Sequence, residues 1–202
     1  MKESVNLNFK FKGTRNYVHG TDMYNDISKW IELNGYQNIE GIDMSIHKIS
    51  KKNLSGYITD EITTKDKTNP NVIFSFISNK NVFKIVLFEN NEEVKGSYEY
   101  KENEIVEASI IEEGDQKISL NIPMDYTAIE KIVAMNKALH EHLLINAIGK
   151  WYFTKLQLNK SIYLIKPSKI EVKLIKNLNN YLTKSYISID GDKIGNIFFS
   201  IV

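Results

Sequence analysis

Lys169-Ile170-Glu171-Val172-Lys173-Leu174-Ile175-Lys176-Asn177-Leu178, continuing through residues 181–189, Asp190-Gly191-Asp192 and residues 194–202, is the stretch on which the fold reading turns. Apolar and polar side chains alternate along much of it with the period of two expected of half-buried strands. Asp190-Gly191 is a tight-hairpin pair, since the favoured two-residue turns need positive φ at their centre. Residues 151–158 form another strand candidate just upstream. Before that, residues 126–147 have a helical period, preceded by Pro123 and Asp125 and closed by Gly149. A long helix followed by four strands is the expectation for this half.

The same order of elements stands earlier in the chain. Leu7, Phe9 and Phe11 alternate with polar partners up to Gly13 and read as a first strand. Thr21 then reads as an N-cap, with Asp22 and Asp26 near the positive end of a helix that runs to about Leu33 and stops at Gly35. Tyr24, Ile27 and Ile31 share one face of that helix, with Met23 and Trp30 beside them. Strand candidates follow at 42–49, 54–62, 72–77 and 82–88, the last two joined by a hairpin turn at 78–81. The acidic run 89–93 is the expected boundary, dividing the chain into halves 1–93 and 94–202. Further strand candidates lie at 96–100, 104–111 and 117–122. The repeat is one of pattern, not of residues.

Composition narrows the function classes. With 26 basic and 25 acidic residues scattered through 202 positions, the formal charge is +1, and no basic patch points to nucleic acid or a membrane surface. There is no cysteine, so disulfides, thiol nucleophiles and thiolate metal sites are excluded. No metal and no cofactor is expected. The amino-terminal residues lack the apolar run of a signal peptide, and no window has the length of a transmembrane helix, so a cytoplasmic protein is expected. Arg15 is the only arginine in a chain rich in lysine, asparagine and isoleucine, a bias of the kind an AT-rich genome produces.

A long helix followed by four antiparallel strands, the last two joined by a short Gly turn, resembles the hotdog fold. Residues 169–178 and the continuation Ile187-Ser188-Ile189-Asp190-Gly191-Asp192-Lys193-Ile194-Gly195 to Phe198-Phe199 are similar to the closing strands of acyl-thioester dehydratases and thioesterases. The resemblance implies an α+β tandem or double hotdog, two antiparallel sheets each wrapping one long helix. The alternatives are two unrelated α+β halves, or a curved, cone-like sheet around the long helix. It also implies acyl-carrier-protein or coenzyme A thioesters as substrates, in fatty-acid or polyketide metabolism, handled by a monomer or homodimer. The family's motifs are missing: His19 is followed by Gly20-Thr21-Asp22 and not by Phe-Pro-Gly, and Asp22 near Asn25 is only faintly similar to the thioesterase signature. An enzyme of dehydratase or thioesterase type using general acid and base groups is one reading. A noncatalytic hotdog-like module that binds an acyl chain or a partner protein is the other.

Two groups of residues are candidates for the chemistry. On the second helix Ile129, Ile132, Val133, Leu139, Leu143 and Ala147 form an apolar stripe that also carries Asn136 and His140. Inward polar groups need partners. They either form a hydrogen-bonded core pair, or line a tunnel in which His140 moves a proton and Asn136 holds a carbonyl. Glu141, His142 and His47 are expected to face solvent. The second group is the run Arg15-Asn16-Tyr17-Val18-His19-Gly20-Thr21-Asp22-Met23-Tyr24. By the resemblance His19 would be the general base or acid, Asp22 its orienting or water-activating carboxylate, and Arg15 an anion clamp. Tyr17, Gly20 and Tyr24 would complete the substrate site. Paired hotdogs commonly combine the start of one helix with the face of the other, which sets His19 with Asp22 opposite Asn136 with His140. The plainer alternative is that Thr21 caps, Asp22 offsets the dipole, Gly20 makes the turn, and Arg15 and His19 are solvated.

Overall fold

The computed structural model describes residues 3–60 and 69–201. Glu61, Ile62 and Val202, at the ends of expected strands, lie outside the described residues. The chain divides into two compact units, Met1–Tyr100 with Asn159–Ser161, and Lys101–Leu158 with Ile162–Val202.

The first unit runs β1 Glu3–Leu7, β2 Phe11–Lys12, α1 Gly20–Leu33, β3 Glu40–Ile46, β4 Lys52–Thr59, β5 Val72–Ser78, β6 Asn81–Glu93 and β7 Ser97–Tyr98. Its antiparallel sheet has the order β1-β4-β6-β5-β3, while β2 pairs in parallel with β7. Met23, Tyr24, Ile27 and Ile31 bury one face of α1, as the helical period predicts. The helix ends in a Schellman motif: Tyr36 N–H donates to Ile31 C=O (3.2 Å) and Gly35 N–H to Glu32 C=O (3.0 Å), with Gly35 at φ 79°. Under the helix Tyr24, Phe74, Phe76 and Phe83 are linked by ring contacts of 5.5–6.2 Å.

One expectation fails here in a way that matters. The alternation Leu7, Phe9, Phe11 is not one strand: β1 stops at Leu7, and the phase has flipped by β2, so that Phe11 is half-buried and Lys12 is wholly buried. The intervening residues are held otherwise, Phe9 N–H donating to Asn53 Oδ1 at 2.9 Å.

The second unit runs α2 Glu102–Glu107, β8 Ile110–Glu112, β9 Lys117–Leu120, α3 Ala128–Leu143, β10 Trp151–Lys160, β11 Ile170–Leu178, β12 Leu182–Ile189 and β13 Asp192–Ile201. Its sheet order is β10-β13-β12-β11-β9-β8, antiparallel throughout. The strand expected at 104–111 is instead α2 followed by β8; Glu102 and Glu104 favour the amino end of a helix, and Ile105 anchors it as α2 packs on α3. The second long helix is shorter than its apolar period suggests. Thr127 is its N-cap, closing a capping box with Glu130, and it ends at Leu143 well before Gly149.

Each unit therefore places one long helix on an antiparallel sheet, α1 against β1 and α3 against β9 and β11. The four strands after each helix are not ordered alike. In the first unit the hairpin β5–β6 lies between β3 and β4. In the second unit, β11, β12 and β13 form a meander, because two tight turns follow in succession, with Asn179, Asn180, Asp190 and Gly191 all at positive φ. Bulges at Phe153/Lys155, Leu174/Lys176 and Ile187/Ser188 add bend to this sheet.

One strand glycine in each unit permits close backbone approach. A Cβ on Gly56 would stand 1.8 Å from Val86 O, and one on Gly195 2.0 Å from Gln157 O. Gly56→Ala and Gly195→Ala are each expected to cost at least about 3 kcal/mol in chemical denaturation, because backbone and not a yielding side chain blocks the methyl. A loss below about 1 kcal/mol at either site would mean the strands separate freely there.

Candidate functional site

The most concentrated polar cluster lies at the start of α1. His19 is the N-cap, at φ −77° and ψ 140°, its carbonyl receiving the amides of Asp22 (3.0 Å) and Met23 (3.1 Å). Thr21 is thus inside the helix and not its cap. Its hydroxyl is engaged elsewhere: Lys12 Nζ donates to Thr21 Oγ1 at 2.7 Å, and His19 Nδ1 lies 2.7 Å from the same oxygen. Lys12, fully buried, also pairs with Asp22 Oδ1 at 2.8 Å, where Tyr98 OH donates at 2.8 Å. The Tyr100 ring lies 4.5 Å from the ammonium, so π density and carboxylate together replace the water it has lost.

Thr21 has one proton and two lone pairs. One lone pair takes Lys12, and Asp22 Oδ1 lies 3.3 Å away as one acceptor within reach of the proton. His19 Nδ1 is the nearer neighbour of Thr21 Oγ1, accepting the Thr21 proton in one tautomer and donating its own in the other. Asp22 Oδ2 is buried and has no hydrogen-bond partner among the described residues. A carboxylate oxygen out of water without a donor is costly unless the site uses it.

Around this core the structure brings together Arg15, Tyr17, His19, Gly20 and Asp22. The Arg15 guanidinium donates to Lys12 C=O (3.4 Å) and lies 5.6 Å from the Tyr100 ring centre. The Tyr17 ring is 6.4 Å from that of His19, and Gly20 is the first residue of α1. Tyr24, by contrast, is fully buried in the core against Phe74. One turn beyond Asp22, burial and the Asp22 charge push Asp26 up to about 6 against the pull of Lys29 and Lys12.

Sequence reasoning missed Lys12, Tyr98 and Tyr100. Lys12 occupies what alternation marks as a solvent position. Tyr98 arrives from 76 residues away through the two-residue parallel pairing of β2 with β7, for which no local pattern exists.

In the second unit Asn136 and His140 face inward as their stripe predicts, both 0% exposed. The His140 ring packs 4.8 Å from Trp151 and edge-on to Phe199 at 5.4 Å. The expectation of a hydrogen-bonded pair is not met: both amide atoms of Asn136 and both ring nitrogens of His140 are buried without a partner among the described residues. Burial pushes His140 down to about 4, so the ring is neutral at physiological pH. Glu141, His142 and His47 are exposed as expected, and His142 Nε2 lies 2.5 Å from the Glu113 carboxylate.

The sign of the His140 effect on stability is fixed by its depressed pKa. As pH falls from about 6.5 to about 4 the unfolded chain takes up a proton that the folded one refuses, so up to about 3 kcal/mol present above this window is lost within it. Asp26 acts oppositely, its raised pKa costing stability as pH rises from 3.8 to about 6. The two slopes offset each other in the wild type. His140→Phe is therefore expected to raise stability by about 1–3 kcal/mol near neutral pH, by removing unsatisfied groups, and by more at about pH 5. Urea melts at the two pH values test this; equal gains at both would contradict the neutral, buried imidazole.

No protein-family model and no curated protein matches the sequence. Solved structures do resemble it. The dehydratase domain of PpsC from Mycobacterium tuberculosis, in complex with C12:1-CoA, superposes with a TM-score of 0.57 at 3% identity, covering 100% of this chain and 93% of that one. The pyran synthase domain from module nine of the sorangicin pathway gives 0.54 at 8% identity, covering 100% and 94%. The tesB protein of Mycobacterium avium subspecies paratuberculosis gives 0.52 at 6% identity, covering 96% and 91%. Likeness at these identities establishes fold. The chain is an α+β protein with a tandem hotdog fold. Among its described residues no helix is long and apolar enough to cross a membrane.

Proposed function

We propose that this protein acts on acyl thioesters carried by coenzyme A or an acyl-carrier protein, as a dehydratase or thioesterase of the cytoplasm, with His19 and Asp22 as its reacting pair. The observation that carries the reading is the Lys12–Thr21–His19 cluster at the amino end of α1, with Asp22 paired to the same lysine and one Asp22 oxygen buried without a hydrogen-bond partner among the described residues. Support for the substrate class comes from the hotdog domain bound to C12:1-CoA.

The chemistry follows from these groups. In dehydration His19 Nε2 takes the α-proton, and the imidazolium returns it to the departing β-hydroxyl, so water leaves and the base is regenerated. In hydrolysis His19 takes a proton from water held by Asp22 Oδ2, water oxygen bonds the thioester carbon, and the same proton goes to the departing thiolate. Asp22, paired with an ammonium, serves as acceptor and orienter in both. The positive end of α1 stabilises the charge that grows on the thioester oxygen. Arg15 is the clamp for an anionic group of the carrier. In the second unit Asn136 and neutral His140 are groups suited to hold a carbonyl.

The experiment is turnover of a panel of 3-hydroxyacyl- and acyl-CoA thioesters by the wild type, following enoyl absorbance and thiol release together. One of the two signals is expected. A second reading, a noncatalytic module that binds an acyl chain or a partner protein, is favoured by the complete burial of Asn136 and His140. Saturable binding of an acyl-CoA without either signal would select it.

A further inference from the structure

A pocket of about 520 Å³ in the second unit, separate from every residue discussed above as reacting, is lined by two lysines and a single carboxylate. Lys131, in the first turns of α3, is only 3% exposed yet lines this pocket together with Lys166, Asp125, Tyr126 and Ser168. The acceptors nearby are engaged or remote. Glu130 is committed to the capping box, receiving Thr127 N–H and Oγ1–H at 2.8 Å each. Asp190 receives the Ser168 hydroxyl (2.6 Å) and amide (3.0 Å). Asp125 and Glu130 act on Lys131 through space, against a desolvation that lowers its pKa. Among the described residues the ammonium groups of Lys131 and Lys166 make no hydrogen bond or ion pair, while the Lys131 backbone N–H donates to Thr127 C=O (3.2 Å).

A lysine that is buried along its stem and opens only on a pocket directs its three ammonium donors at whatever fills that pocket. Two lysines against one lining carboxylate leave the pocket with an excess positive charge. A tetrahedral oxyanion supplies enough acceptors for both ammonium groups at once, and a phosphate monoester carries a charge of about −1.5 to −2 near pH 7 to outweigh the repulsion of Asp125. The pocket volume falls in the range of small-molecule sites and leaves room for an organic group beyond the phosphate. We propose that this pocket is a binding site for a phosphate or phosphate monoester, with Lys131 as its inner cation and Lys166 as its outer one. The site stands independently of the thioester reading.

Calorimetric titration of the full chain at constant ionic strength, with inorganic phosphate, glycerol 3-phosphate and glycerol, tests it. Saturable binding of one or both phosphates and none of glycerol is expected, and the comparison of the two phosphates tells free anion from monoester. Lys131→Met, which exchanges a desolvated amine for an apolar chain of similar length, is expected to weaken binding at least about tenfold, and Lys166→Met severalfold. Asp125→Asn, at an exposed position, is expected to tighten it and serves if Lys131→Met fails to fold. No saturable phosphate binding by the wild type, or affinities unchanged in Lys131→Met and Asp125→Asn, would overturn the proposal.

Discussion

His19→Ala is expected to lower kcat/KM on the thioester that the wild type turns over by about 10²–10⁴-fold, the range that a positioned general base supplies. The loss should fall on kcat with KM little changed, since the imidazole acts on a proton in transit and not on the bound acyl chain. Asp22→Asn is expected to lower kcat in the same direction, because it removes the charge that orients water or substrate, and to lower stability as well, because it leaves the buried Lys12 ammonium without its carboxylate. Steady-state kinetics of the two variants beside the wild type decides this. A loss of less than about tenfold in His19→Ala would remove His19 from the chemistry and leave Lys12, Thr21 and Asp22 as a structural network.

Lys12→Met is expected to destabilise the protein by about 3–5 kcal/mol, the cost of leaving one partner of a buried ion pair alone. Lys12 is 0% exposed and the Asp22 side chain 12%, so water cannot replace the missing ammonium. Asp22→Asn in the Lys12→Met background should recover a large part of the loss, since the orphaned charge is then gone. Denaturant melts of both single variants and the double variant measure the coupling. A cost below about 1 kcal/mol, or none recovered in the double variant, would show that Lys12 is accessible to solvent in solution.

Much of the architecture was legible because it is written locally. The period of α1, its stop at Gly35, the hairpin at Asp190-Gly191 and the alternating strands of both units each depend on neighbours a few positions away. Asn136 and His140 were legible as inward polar residues for the same reason. What was not legible depends on distant pairing or on competition between signals. Thr127-Ala128-Ile129-Glu130 is a capping box, but the apolar period running past it on both sides obscured the helix ends. Ile105 and Val106 are β-branched and read as part of a strand, yet Glu102 and Glu104 make the acidic first turn of α2 and Ile105 is its buried anchor. Lys12 reads as a surface residue until β2 meets β7 and delivers Tyr98 to Asp22. His19 and Asp22, the groups proposed to react, were therefore candidates in the sequence, while the lysine that binds Thr21 and Asp22 was not.

The ring nitrogens of His19 report most directly on whether this cluster is a thioester site. Nitrogen-15 spectra of the wild type, recorded while an uncleavable thioether analogue of an acyl-CoA is added, should show the hydrogen on Nδ1 in the free protein and a shift of Nε2 as the analogue binds. A hydrogen on Nε2, or a His19 spectrum indifferent to a saturating analogue, would contradict the account.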